Sequence, residues 1–294
     1  MDTTTPARFV TGTARADDGT LIGYRRIGHG PALVLVHGAM MTSYLFRQLA
    51  IELAADFTVY APDRRGRGLS DPGGATGDLR TEIGDLTTLI REAQAHNVFG
   101  LSAGAIISLA TALELPDIHR LALYEPPLVG ADFTSLGWAP RVERELDAHR
   151  FTAAVVSVLK GTGDRADFTS LPRFLLQPAL ALGMRLDERD DGEDRLPPLR
   201  TLVPTVRADI EVIRSTRDIW HRLPELHCDT LLLGGTRSAS YLPRALDRLA
   251  AELPGATRVV LPGLGHTSAF DDEKPDVVAA ELRKFFTRPD AGPR

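Results

Sequence analysis

Consecutive apolar residues, rich in β-branched types, recur along the chain in short runs that end in glycine, proline or a charge. They are ALVLVHG at 32–38, FTVYAPD at 57–63, NVFG at 97–100, LALYE at 121–125, DTLLLGG at 229–235 and TRVVLPG at 257–263. Apolar positions that do not alternate with polar ones predict strands buried on both faces. Between them the period changes. Leu79, Ile83, Leu86, Ile90 and Ala93 fall at steps of three and four, the stripe of a helix with one buried face. Further helical stretches are AGAIISLATALEL at 103–115, YLPRALDRLAAEL at 241–253 and PDVVAAELRKFF at 275–286. Ahead of these, ARFVTGTARA and TLIGYRRI flank DDG at 17–19, and Asp-Gly supplies the positive φ angles of a tight hairpin turn. Strands alternating with helices predict an α/β fold: a mostly parallel central sheet with helices on both faces.

The rhythm breaks between 129 and 221. No buried strand is legible there; helical patches, prolines and scattered aromatics (Phe133, Trp138, Phe151, Phe168, Phe174, Trp220) replace it. The expected organisation is a core of residues 1–128 and 222–294 interrupted by a helical cap, 129–221. The acidic stretch DERDDGED at 187–194 does not follow a calcium loop. Arg189 and Pro198 would stand at its third and twelfth positions, where carboxylates are required, so it reads as a solvated loop. The terminal TRPDAGPR is expected to fray.

Composition narrows the function classes. The chain has 294 residues, 43% hydrophobic and 25% charged, with a formal net charge of −5. An acidic balance argues against a general nucleic-acid binder. The single cysteine, Cys228, rules out an intramolecular disulfide and disfavours a cysteine metal site. No metal site and no organic cofactor are expected. No apolar run approaches the roughly 20 residues of a membrane span, and the start, MDTTTPARFV, lacks the charge and apolar core of a secretory signal. The expectation is a cytoplasmic protein with no membrane partner; the sequence sets no oligomeric state.

Candidate chemistry begins at Gly100-Leu101-Ser102-Ala103-Gly104. Ser102 stands directly after a strand-like run and directly before a helix-like one, the context of a G-x-S-x-G elbow. So tight a turn needs residues nearly free of side chain two before and two after it. It then presents a hydroxyl at a helix N-terminus, where developing negative charge is favoured. His37-Gly38-Ala39 closes the first buried run. A glycine there lets the Ala39 N–H turn toward the Ala103 N–H, and two such donors form an oxyanion hole. His37 then has a structural role in that loop.

HGAM after the first buried strand, DRRGRGLSDP at 63–72, GLSAG at the elbow, an inserted cap and LPGLGHTSAF at 261–270 occur in the order that resembles the α/β-hydrolase superfamily over nearly the whole chain. The resemblance implies a triad in the order serine, acid, histidine. Ser102 is then the nucleophile and His266 the base, with the other histidines in turns, helix ends or the cap. Many members carry the acid as aspartate just after the strand matched by DTLLLGG; here Ser238 stands at that position. Asp247 lies too far along the next helix, and Asp229 lies at the wrong end of the sheet. The other known placement is one strand earlier, at Glu125 in LALYEPP, with Asp63 or a cap carboxylate next in line.

A serine nucleophile implies acyl transfer to water through an acyl-enzyme. Met40, Met41, Trp138 and Trp220 suggest an apolar pocket, and the expected partner is a small hydrophobic ester or lactone of medium size. Two alternatives share the fold: a carbon–carbon bond hydrolase and a cofactor-free perhydrolase. A third, from another class, is a ligand-binding protein with vestigial catalysis.

Overall fold

The computed structural model describes residues 8–72, 77–130, 134–163, 170–188 and 196–288. Each apolar run becomes a strand of one sheet. The strands are β1 (Val10–Arg15), β2 (Leu21–Gly28), β3 (Ala32–Val36), β4 (Thr58–Pro62), β5 (Asn97–Leu101), β6 (Arg120–Tyr124), β7 (Asp229–Gly235) and β8 (Thr257–Leu261). Their spatial order is β1-β2-β4-β3-β5-β6-β7-β8. The β1–β2 and β2–β4 pairs are antiparallel, and every pair from β4 to β8 is parallel.

The unbroken apolar runs are explained by burial on both faces. Val34, Val36, Val98, Leu121, Leu123 and Leu232 join one core with α2 (Leu79–Ala93), α3 (Ala103–Ala112) and α10 (Tyr241–Glu252). Their neighbours Leu33, Leu35, Phe99, Ala122, Leu231 and Leu233 join a second core with α1 (Arg47–Leu53) and α11 (Pro275–Phe286). The stripe over 79–93 forms α2, which Asp78 caps by accepting from the Thr81 N–H at 2.8 Å.

Two expectations need correction. The 8–27 hairpin forms around the DDG loop, but Asp18 does not share the positive φ expected of Asp-Gly. Ala16 N–H donates to the Thr20 carbonyl at 2.9 Å, leaving three residues in the loop, and only Gly19 takes positive φ. This is a three-residue hairpin, in which one left-handed residue suffices. The run at 257–263 is not buried on both faces: β8 is an edge strand, paired only with β7, and Val260 is 50% exposed. Helix α1 carries no long stripe and was not legible.

Between β6 and β7 the chain is helical among the described residues. It runs through α4 (Ala139–Asp147), α5 (Phe151–Thr162), α6 (Arg173–Asp187), α7 (Leu199–Leu202), α8 (Val206–Arg214) and α9 (Ile219–Arg222). This insertion has its own core of Ala139, Val142, Leu146, Ala154, Val155, Val158, Met184, Val203, Val206 and Ile210. Helix α8 belongs to both bodies, because Val212 and Ile213 pack into the sheet core. Phe133, Phe168, most of the acidic stretch (189–194) and the last six residues of the terminal segment lie outside the described residues.

Leu282 on α11 is fully buried in the core shared with α1. Leu282→Ala should lower unfolding stability by about 2–5 kcal/mol. The measurement is a shift of the chemical-denaturation midpoint at unchanged slope.

Candidate active site

The serine sits where a strand turns into a helix within one residue. Ser102 N–H still donates to the Tyr124 carbonyl at 2.9 Å, extending the β5–β6 pairing. Its carbonyl already accepts from Ala105 and Ile106, the first turn of α3. The backbone satisfies both by adopting φ 57° and ψ −122°. A Cβ on Gly100 would fall 2.6 Å from Ala105 Cα, and one on Gly104 would collide with the Val36 carbonyl oxygen. The flanking glycines are therefore demanded by space. A Cβ on Gly38 would lie 3.0 Å from Ser102 Cβ and 3.2 Å from Met41 Sδ, so the loop after β3 runs directly beside the elbow. Ala103 is fully buried and Ala39 half-buried.

Glu125 follows the last residue of β6 and is fully buried. A buried carboxylate requires partners, and three donors supply them. Oε1 accepts from the Gly235 N–H at 2.7 Å and the Ser238 hydroxyl at 2.6 Å; Oε2 faces His266 Nδ1 at 2.8 Å. The carboxylate can only accept, so Nδ1 carries the proton and Nε2 is left as the basic nitrogen. Gly234 makes room for this arrangement, since a Cβ there would approach Glu125 Oε1 to 2.9 Å. A Cβ on Gly235 would strike the Leu264 carbonyl of the histidine loop. Tyr124 ties the same loop from the other side, its hydroxyl donating to the Gly265 carbonyl at 2.7 Å. Burial, with the Glu125 charge second, pushes the Tyr124 phenol above its ordinary range, so it remains a donor.

Thus the structure joins His266 to Glu125 directly, and hangs Ser102 from the residue preceding Glu125. Asp63 is engaged elsewhere: it accepts from the Ser43 N–H, the Leu69 N–H and Arg25. His149 and His221 are exposed. Ser238, absent from the candidate residues, is a direct partner of the acid. Its signal was a hydroxyl at the position where relatives carry the carboxylate.

The loop of His37 is pinned from below. His37 is fully buried; its Nε2 accepts from the Arg64 N–H at 3.0 Å, so Nδ1 bears the proton and donates to the Gly38 carbonyl at 2.9 Å. Burial, then the charges of Arg67 and Arg64, hold this imidazole well below its ordinary value. It is neutral and structural. Arg64 bridges Glu82, at 2.5 and 3.0 Å, and Asp209 on α8, at 2.7 Å. Arg67 reaches the same Asp209 oxygen at 2.8 Å. Two cations face two anions, all buried.

The apolar candidates separate by position. Met40 (φ 51°) and Trp138 pack against the core of the insertion, where Trp138 covers Gly161. Met41 is buried with Phe46 and Leu35 in the core shared with α1. Trp220 Nε1 donates to the Val129 carbonyl at 2.8 Å, with Arg248 over its ring. It braces the neck of the insertion. Among the described residues no group of three or more His, Cys, Asp or Glu is arranged to hold a metal, and no helix is long and apolar enough to cross a membrane.

A family model described as the alpha/beta hydrolase family matches residues 33–281, and the chain belongs to that family. It is similar to 2-(acetamidomethylene)succinate hydrolase from Mesorhizobium japonicum, with 27% identity over 92% of this chain and 94% of that one. It is 29% identical to pimeloyl-[acyl-carrier protein] methyl ester esterase from Stenotrophomonas maltophilia, over 88% of this chain and 93% of that one. An alpha/beta hydrolase structure from Sphaerobacter thermophilus superposes with a TM-score of 0.76 at 29% identity, covering 94% of this chain and all of the other.

The depressed imidazole of His37 gives a pH prediction. Its ordinary value is 6.5 and its folded value lies well below. Between these limits the unfolded chain binds more protons, so stability falls as pH drops below about 6.5. His37→Gln should flatten that part of the profile. Thermal melts of both proteins from pH 7.5 down to pH 5 check it; parallel profiles would exclude the linkage.

Proposed function

We propose that the protein is a serine hydrolase that cleaves a carboxylic ester or lactone of a medium-sized hydrophobic substrate through an acyl-enzyme. The observation that carries this reading is the Nδ1–Oε2 bond of 2.8 Å between His266 and a Glu125 with no exposure to solvent. It fixes the tautomer in which Nε2 is a base, and places a negative charge where an imidazolium needs one. A vestigial binding protein has no need of that arrangement. The family membership and the methyl ester esterase among its relatives support the same reaction class.

In this mechanism Ser102 Oγ attacks the substrate carbonyl carbon while its proton passes to His266 Nε2. The carbonyl oxygen takes the electron pair and is held by the N–H groups of Ala39 and Ala103. Collapse of the tetrahedral adduct breaks the bond to the alkoxy oxygen, which takes the proton from His266, and acyl-Ser102 remains. A water then gives its proton to the same nitrogen and attacks the acyl carbon; the second adduct breaks its bond to Ser102 Oγ, which takes the proton back from Nε2, and the acid leaves. In a lactone the leaving hydroxyl stays tethered to the acyl group. No cofactor enters any step. The insertion, residues 129–221, serves as the cap, and Met40, next to the Ala39 amide, contributes to the apolar side of the site.

Short p-nitrophenyl esters and simple lactones should be hydrolysed, and a fluorophosphonate should label the wild type but not Ser102→Ala. A folded wild type that stays unlabelled would overturn the reading. Glu125→Gln should lower kcat about 10⁴-fold, by analogy with the amide replacement of a triad aspartate. Ser238→Ala, which leaves the Gly235 donor in place, should cost about tenfold, the weight of one hydrogen bond to a charged group. Wild-type turnover in Glu125→Gln would remove the acid from its role.

A further inference from the structure

Planarity of one peptide links the insertion to the oxyanion hole. Carbonyl and N–H of a trans peptide point in opposite directions, so whatever grips the Gly38 carbonyl also aims the Ala39 N–H. Two donors grip it: His37 Nδ1 at 2.9 Å and Arg64 Nη1 at 3.3 Å. The next amide in the chain, Met40 N–H, is taken at 3.3 Å by Asp209 Oδ2. Asp209 Oδ1 accepts from the same Arg64 Nη1 at 2.7 Å. One side chain of α8, 1% exposed, thereby touches the peptide groups on both sides of Ala39: the first through Arg64, the second directly.

Met40 sits at φ 51°, a conformation an L-residue adopts only when its surroundings impose it. The Asp209 bond to its amide is such an imposition. Arg67 holds the carboxylate from the far side at 2.8 Å, with Thr205 accepting from Arg67 Nε at 3.0 Å. The aspartate therefore cannot rotate away without stranding a buried cation. Burial alone would raise Asp209; the charges of Arg67 and Arg64 outweigh it and keep the carboxyl below its ordinary value.

We infer that Asp209 is a positioning residue: it sets the direction of the oxyanion-hole N–H of Ala39, so that seating of the cap and competence of the hole are one event. The inference rests on the hydrolase reading above and concerns its transition state. An amide aimed at the developing oxyanion lowers the barrier while adding little to ground-state binding.

The test is Asp209→Asn, which keeps the shape of the side chain. One of its two terminal atoms becomes an N–H₂ donor, facing either the Met40 amide or the two arginines. With a p-nitrophenyl ester, kcat should fall about ten- to hundredfold, below the full loss of an oxyanion donor, while KM changes less than about threefold. Affinity for an aryl boronic acid, which forms a tetrahedral adduct on the serine, should fall in parallel with kcat/KM. Arg64→Lys, which keeps the charge but cannot span Glu82, Asp209 and the Gly38 carbonyl at once, should move kcat in the same direction. It decides the matter if Asp209→Asn does not fold, as judged by circular dichroism. A folded Asp209→Asn with unchanged kcat, or one in which KM alone rises, overturns the inference. A wild type that no fluorophosphonate labels would instead remove the hydrolase reading beneath it.

Discussion

The C-terminal end of β6 is the point on which the site depends. Tyr124 and Glu125 are adjacent, and between them they hold the serine, the histidine loop and the loop after β7. The Tyr124 carbonyl holds the Ser102 amide, its hydroxyl holds Gly265, and Glu125 holds His266, Gly235 and Ser238. Topology makes this possible, because β6 lies between β5, which delivers the serine, and β7, whose neighbour β8 leads into the histidine loop. It also brings the loop after β7 against the residue that follows β6. Positions 125 and 238 face one another across a single hydrogen bond of 2.6 Å.

Strain gathers at the same place. Among the described residues five that are not glycine take positive φ, and three of them, Met40, Ser102 and Glu125, stand at the corners of the site. Such conformations cost on the order of 1–3 kcal/mol each. Each is over-determined by its neighbours: Ser102 by the β6 carbonyl and the first turn of α3, Glu125 by the Leu233 carbonyl that accepts its N–H, Met40 by Asp209. The sheet, buried on both faces, is stiff enough to hold all three. Function is thus placed where parallel strands end, and the cores above and below carry the strain.

The limits of what the sequence revealed follow from range. Strands buried on both faces announce themselves as unbroken apolar runs, which is why β3 to β7 were legible. The elbow was legible because its space requirement is local, two glycines within five residues. Glu125 was reached by noticing a charge at the end of a buried strand. Asp209 leaves no such trace. Its partners are 142 to 169 positions away, and no local pattern marks a surface-like aspartate for burial. The DRRGRG loop was legible as part of the family resemblance, but not the carboxylates that neutralise its arginines. Edge strand β8 misled because its composition matches a central strand, and only pairing on one side distinguishes the two.

The placement of charge also divides the insertion into a part that is fixed and a part that is loosely held. Helix α8 gives Val206 and Ile210 to the core of the insertion and Val212 and Ile213 to the core of the sheet. Asp209 lies on the same helix, in a network where two buried cations balance two buried anions. Lifting α8 would part Asp209 from both arginines and leave Arg67 without its carboxylate, at several kcal/mol, besides opening both cores. Helix α6 is held differently. It buries only Leu176 and Met184 and leaves Phe174, Leu175, Leu182 and Leu186 exposed. Helices that bury little open at low free energy. The α6 side of the insertion is therefore the part held least, while α8 is seated against the loop that follows β3.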